Sequence, residues 1–200
     1  MSDLPTQRDF DAMYTGTPPW DIGRPQGSLL AVADAGGLRG RVLDAGCGTG
    51  EHALMAAASG LDTTGVDGSP TAIDLARSKA AERGIAVRFL VADALNLGSL
   101  GETFDTVIDS GLFHVFDDDD RARYVGSLRA ATAPGGRVYL LCFSDRFPPG
   151  FGPRRVSEEE IRASFSDGWT IEAIDAVGFE VNFSPEPIPA WLATIKRRKG

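Results

Sequence analysis

Cysteine is scarce in this chain of 200 residues, which has only Cys47 and Cys142. One lies in a glycine loop and the other in an apolar run, so no disulfide framework is expected and a reducing cytoplasm suits the chain. Long apolar runs are absent as well, and none approaches the length needed to cross a bilayer. The opening MSDLPTQRDF is polar and acidic, without the apolar stretch of a secretory leader. Positive charge is thin: twenty Lys and Arg stand against twenty-eight Asp and Glu. Four of the twenty form the run Lys196-Arg197-Arg198-Lys199, which leaves sixteen for the rest. A body so acidic repels phosphate backbones, so neither nucleic acid nor a membrane is an expected partner. Histidine is limited to His52 and His114, which narrows the search for an acid–base group.

What is present is a pattern of alternation in a chain the size of one domain. Residues 41–46 read as a buried strand running into glycines, followed by the helix EHALMAAASG, which Gly60 stops. Residues 62–67 give a second strand. The helix SPTAIDLARSKAAERG follows, with Ser69 at its N-cap, Pro70 at its first position and Gly84 as terminator. Residues 87–93 and 104–109 give two more strands, 117–131 a helix, and 137–143 a fifth strand. Ser157-Glu158-Glu159-Glu160 has the form of a capping box for a short helix. Alternating patterns over 169–183 and 190–196 then predict two half-buried strands. The expected fold is α/β, a Rossmann-like doubly wound and mostly parallel seven-stranded sheet, with an antiparallel C-terminal edge hairpin. One domain spans 1–200: an N-terminal lid or arm over 1–38, a ligand-binding core over 40–145, and a substrate loop with the last strands over 146–200.

Asp44-Ala45-Gly46-Cys47-Gly48-Thr49-Gly50 stands where the first strand meets the first helix, the place where open α/β sheets bind ligands. Glycines there let a ligand come close to the backbone and its N–H groups. Dinucleotide binding fits poorly. Its Gly-x-Gly-x-x-Gly fingerprint, counted from Gly46, requires a glycine where Glu51 stands. Asp44 would also repel a pyrophosphate, whereas it would attract the ammonium of an amino acid.

On these residues the chain resembles the class I S-adenosylmethionine-dependent methyltransferases, whose first motif DAGCGTG matches nearly residue for residue. The resemblance implies S-adenosyl-L-methionine as cofactor, with Asp44, Gly46, Cys47, Gly48 and Gly50 around it. It implies that Asp67, flanked by Gly68 and Ser69, holds both ribose hydroxyls, since a carboxylate can accept two hydrogen bonds at once. Asp93 and Ala94 fall at the position that meets the adenine amino group. Asp109, on the cofactor side, and Ser110, on the substrate side, come after the fourth strand and are expected as pocket floor.

Thr17-Pro18-Pro19-Trp20 invites comparison with the Pro-Pro-aromatic loop that grips a flipped base. That loop belongs after the fourth strand, where Asp109-Ser110-Gly111-Leu112-Phe113-His114 contains no proline. The stretch TPPWDIGRPQ resembles instead the N-terminal lid of small-molecule enzymes of the thiopurine, halide/thiol and heterocycle N-methyltransferase group. Trp20 would cover the methionine part of the cofactor, and Arg24 would pair with its carboxylate or with Asp21. The implied function is methyl transfer to a small aromatic or heterocyclic N, O or S nucleophile. The alternatives are a biosynthetic intermediate as acceptor, or a non-catalytic cofactor-binding protein.

His114 is the candidate general base and equally a candidate wall residue. His52 reads as structural. Phe113, Phe147, Phe151 and Trp169 (with Trp191 as a further candidate) would suit a planar apolar acceptor. Asp117-Asp118-Asp119-Asp120 reads as a helix cap, since negative charge there complements the helix dipole, and no metal is assigned. A monomer or weak homodimer is expected.

Overall fold

Parallel neighbours in a sheet need crossover connections, and every early strand in this sequence has a helix or turn after it that can supply one. The computed structural model describes residues 11–148, 150 and 152–199. Its elements are α1 (Gly27–Asp34), β1 (Arg41–Ala45), α2 (Glu51–Ala58), β2 (Asp62–Asp67), α3 (Pro70–Arg83) and β3 (Arg88–Val91). A 3-10 segment (Ala94–Leu100), β4 (Phe104–Ser110), a 3-10 turn (Phe113–Val115), α4 (Asp118–Ala131) and β5 (Thr132–Phe143) follow. The chain ends with α5 (Glu158–Ser164), β6 (Trp169–Val181) and β7 (Ser184–Arg197). The sheet order is β3-β2-β1-β4-β5-β7-β6. The first five strands are parallel, while β7 runs antiparallel to both β5 and β6. Winding goes outward from β1 to β3, then resumes at β4 on the other side. The connections after β1 and β4 therefore diverge and leave a crevice at their carboxyl ends.

Local chemistry sets the boundaries. Ser69 accepts from the Ala72 N–H at 3.0 Å, Pro70 opens α3, and Gly84 closes it in the left-handed region. The Ser157–Glu160 capping box starts α5. Asp117 caps α4 by accepting from the Asp120 N–H at 2.8 Å. Asp118 pairs with Arg121 and Arg154, and Asp120 pairs with Arg123, so the acidic run caps and cross-links the helix. β3 stops two residues earlier than expected because Asp93 turns to cap the 3-10 segment, accepting from the Leu95 N–H at 2.9 Å. β5 starts at Thr132, and a register slip between Phe104 and Thr106 of β4 absorbs Pro134-Gly135-Gly136.

β7 starts at Ser184, six residues before the alternating pattern begins, and Pro185, Pro187 and Pro189 lie inside it. Prolines two apart aim their missing N–H groups at one side of the strand. That side faces β5, whose pairing ends at Phe143 opposite Ala190, so no ladder bond is lost. Among the described residues, no helix is long and apolar enough to cross a membrane.

Candidate functional site

Gly46, Gly48 and Gly50 all take positive φ, at 70°, 52° and 89°, which L side chains resist. A Cβ on Gly46 would stand 2.9 Å from Leu112, and one on Gly48 would stand 3.0 Å from the Tyr14 hydroxyl. Both lie in the crevice. Gly50 does not: its Cβ would meet Phe89 at 2.7 Å, and its N–H donates to the Cys47 carbonyl. It packs α2 onto the sheet, which corrects the expectation of a ligand contact. The loop amides are also less available than expected. Gly46 and Cys47 both donate to the Val66 carbonyl, and Gly48 donates to Asp67 at 2.9 Å. A loop so occupied is no cradle for pyrophosphate. Cys47 is buried, its thiol pushed well up by burial, so it is no nucleophile.

The carboxylates at the strand tips divide into three kinds. Asp44 is 1% exposed; one oxygen accepts from the Ala53 N–H at 3.0 Å, and the other, Oδ1, is buried with no partner. Burial raises its pKa to about 7. A half-satisfied buried carboxyl is costly, and a cationic ligand would relieve it. Asp67 accepts one N–H on each oxygen, from Gly48 and from Ser69, and remains half-buried at the tip of β2. Each oxygen keeps a lone pair for a hydroxyl. Asp109 is fully buried and takes the Leu112 and Phe113 N–H groups and the Tyr124 hydroxyl. It fixes the turn after β4 from beneath, so the expectation of Asp109 as pocket floor is corrected; Ser110 lines the pocket instead. Ser69 is likewise spent, capping α3 and donating to Asp11 at 2.5 Å. Asp93 is exposed and caps the segment that begins with Ala94.

The arm lies across this crevice. Trp20 donates its Nε1–H to the Tyr14 hydroxyl at 3.2 Å, and both line the pocket with Gly46, Gly48 and Phe179. Asp21 accepts from the Thr49 hydroxyl at 2.8 Å, and Thr49 also accepts from Lys79. The Gln26 N–H donates to His52 Nε2 at 3.0 Å, and the Gln26 amide exchanges two hydrogen bonds with the Glu180 backbone. Arg24 makes a two-pronged pair with Glu180, at 2.7 and 3.0 Å, rather than with Asp21. The arm is thus stitched to β6.

Behind Phe179, which lines the crevice, stands a cluster of rings. His114 lies 4.6 Å from Phe143 and 6.1 Å from Phe179, measured between ring centres, and Phe143 packs on Phe147 at 6.2 Å. The Arg155 guanidinium lies 4.5 Å over the Phe147 ring. His114 Nδ1 accepts from the Phe143 N–H at 2.9 Å, so the neutral ring carries its proton on Nε2. Burial, helped by the charge of Arg155, holds its pKa down to about 3. A ring with its free nitrogen already protonated can donate but cannot take a proton, which corrects the reading of His114 as base. Phe113, Trp169 and Trp191 are also displaced from their expected role. All three sit in the core, Phe113 against Phe165 at 5.8 Å and Trp169 against Phe165 at 5.5 Å, with the Trp191 Nε1–H donated to Val156. Phe151 lies outside the described residues. Phe143, Phe179, Tyr14 and Arg155 were not anticipated. Nothing local marks them, because strand pairing and the arm's return bring them together.

Residues 42–136 match the methyltransferase domain family. The chain is 43% identical, over 86% of its length and 81% of the relative's, to the 2-heptyl-1-hydroxyquinolin-4(1H)-one methyltransferase of Mycobacteroides abscessus. A solved structure, described by the conversion of a disulfide bond into a thioacetal group during echinomycin biosynthesis, is 40% identical. It superposes with a TM-score of 0.89, covering 98% of this chain and 94% of that one. The magnesium protoporphyrin IX methyltransferase of Synechocystis PCC 6803 with bound S-adenosylmethionine shares the fold. Its TM-score is 0.67 at 21% identity, over 98% of this chain and 85% of that one.

Proposed function

Because the chain belongs to the class I S-adenosylmethionine-dependent methyltransferases, we propose that it methylates an oxygen, nitrogen or sulfur atom on a small planar heterocycle. The cofactor is S-adenosylmethionine, which when bound supplies a methyl group on a sulfonium, electrophilic and ready for in-line displacement. The residues fit that group. The orphaned Asp44 oxygen suits its ammonium, the open lone pairs of Asp67 suit two ribose hydroxyls, and Asp93 with Ala94 stands at the next strand tip. Gly46 and Gly48 keep side chains out of the space, and Gly68 flanks Asp67. Trp20 closes over the crevice, and its electron-rich face favours a nearby cation by ~0.5–2 kcal/mol.

The single observation that carries the acceptor class is the ring cluster of His114, Phe143, Phe147 and Phe179, whose Phe179 lines the crevice beside the glycine loop. Flat rings at these separations stack on a planar acceptor and keep water out. Positioning and dehydration give most of the acceleration when charge disperses in the transition state. His114 contributes a hydrogen bond from Nε2–H that orients the acceptor. Ser110 lines the crevice and would form the floor between cofactor and acceptor. The hydroxyquinolone relative supports a heteroaromatic oxygen as acceptor. The echinomycin-associated structure supports sulfur as the second reading.

A mass-spectrometric methylation screen of N-hydroxyquinolones, phenols, azoles, thiols and disulfides tests this. Methylation of a planar oxygen or nitrogen acceptor is expected, and turnover confined to disulfides would favour the sulfur reading. In the same samples, Asp67→Ala is expected to weaken S-adenosylhomocysteine binding about tenfold or more by calorimetry. Unchanged affinity would remove the ribose contact. A cytoplasmic monomer or weak homodimer acting on a small molecule completes the proposal.

A further inference from the structure

On its glycine-loop side the arm is held by a thread of polar groups that methyl transfer itself does not use. Asp21 Oδ2 accepts from the Thr49 hydroxyl at 2.8 Å, and Thr49 Oγ1 accepts in turn from the Lys79 ammonium at 2.7 Å. A hydroxyl has one proton to give, so the order is fixed: ammonium to hydroxyl to carboxylate. Lys79 also lies 3.9 Å from Asp21 Oδ1 and donates to Glu51 at 2.9 Å. Glu51 does not exhaust that charge, because Arg83 grips both of its oxygens, at 2.8 and 2.9 Å. With Arg83 matched to Glu51, the Lys79 charge is left to match Asp21. The match matters at this place. Asp21 and Glu51 line the crevice with Thr49, on a side that already holds Asp44 and Asp67. The Asp21 side chain is 15% exposed, too enclosed for a carboxylate to sit there cheaply without a cation.

What the thread holds is the turn above the crevice. The Asp21 N–H donates to the Pro18 carbonyl at 3.0 Å, so Trp20 stands inside a turn that Asp21 closes. Asn182 grips the same turn from the other side, donating to the carbonyls of Pro18 and Pro19. Thr49 follows Gly48, whose N–H is on Asp67, and Lys79 rides on α3, whose N-cap Ser69 also donates to Asp67. The helix that starts at the ribose carboxylate therefore carries the anchor of the arm. We infer that Lys79 is a positioning residue: through Thr49 it holds Asp21, and with it Trp20, against the glycine loop, and so sets how long the cofactor stays bound. This rests on the methyl-transfer reading above and adds to it how the cofactor is retained. Lys79 is not part of the crevice lining, so it acts on the ligand only through the arm.

The experiment uses the full chain with radiolabelled S-adenosylhomocysteine bound. Release is timed by a chase with excess unlabelled ligand, and Tm is read on the same samples. Lys79→Met should speed release about tenfold, as loss of a hydrogen bond from a charged group would. Lys79→Arg, which keeps the charge, should restore part of the retention. Thr49→Val removes the hydroxyl but leaves the Lys79–Glu51 pair, and should speed release by about the same factor. Combining Lys79→Met with Asp21→Asn should stay near about tenfold, because one thread is cut twice; independent contacts would give roughly a hundredfold. Release at the native rate from Lys79→Met, with only Tm lowered, would make the lysine a support for Glu51. Losses that multiply in the double variant would mean that Lys79 acts apart from Asp21. Either result overturns the inference. A native protein that does not bind S-adenosylhomocysteine would bring down the functional reading itself; binding whose release is indifferent to Lys79 brings down only this inference. Where Lys79→Met fails to fold, Thr49→Val combined with Asp21→Asn carries the same comparison.

Discussion

The two walls of the crevice are built on opposite principles. The β1–β2 wall gathers negative charge: Asp44, buried with one oxygen unpartnered, and Asp67, carrying one N–H on each oxygen. The β4–β5 wall gathers rings, with a histidine kept neutral and Arg155 above them. On the proposed function, the first would recognise a charged, hydroxylated ligand by pairing. The second would recognise flatness and exclude water. A displacement that starts from separated charges and ends without them gains from both, since one side binds the cation and the other lowers the local dielectric.

The largest expected effect comes from the layer beneath the ring wall. Phe113 is fully buried between Phe165 and the Arg121 guanidinium. Phe113→Ala should cost about 3–5 kcal/mol of stability in a urea titration, as large-to-small changes in a core do. The acceptor KM of the folded fraction should stay as it was. A stability loss under ~1 kcal/mol with a raised KM would return the ring to the acceptor site.

The contrast between the walls also explains what could be read in advance. The charged wall is made by neighbours in sequence, so DAGCGTG, Asp67 and Ser69 announce it together. All seven strands followed from periodicity, because their burial alternates or runs continuously in the way a sheet requires. The ring wall is assembled from positions far apart: His114, Phe143, Arg155 and Phe179 meet only after β5, β6 and β7 pair. Aromatic residues in a sequence do not say whether they face a cavity or a core, and Phe113 and Trp169 went to the core. His114 was found by position, but its tautomer depends on the Phe143 N–H, which no local pattern encodes. The early start of β7 was hidden by prolines whose side of the strand only the register reveals.

A smaller effect separates the walls by pH. The Asp44 carboxyl, at about 7 in the folded protein against an ordinary 3.8, holds a proton that the unfolded chain releases. The ligand-free protein should therefore lose stability as pH rises from about 4 through 7. Ligand binding runs the other way: an ammonium pairs with the ionised carboxyl, so affinity should climb with pH and level off above 7. The slope is expected to approach about tenfold per unit below the midpoint. Calorimetry of S-adenosylhomocysteine between pH 5.5 and 8.5 (roughly the span on either side of that midpoint) checks this. Asp44→Asn should flatten the curve, and a slope surviving in that variant would assign the proton to another group.

The smallest expected effect concerns what holds the walls together from above. With the arm in place the crevice keeps about 50 Å3 of free volume, so the arm is expected to lift before a ligand enters. Its ties are unequal. The Gln26 amide bonds to the Glu180 backbone are part-buried, whereas the Arg24–Glu180 pair has its arginine side chain 58% exposed. Exposed pairs contribute at most about 1 kcal/mol. Arg24→Gln should therefore raise the release rate of S-adenosylhomocysteine only a few-fold in stopped flow and leave Tm almost unchanged. High salt should bring the native rate toward that of the variant, because the tie is screened. A tenfold or greater loss of affinity, insensitive to salt, would mean that the guanidinium leaves Glu180 when the arm closes on its ligand and grips the cofactor carboxylate itself. The arm would then belong to the charged wall rather than serve as its cover.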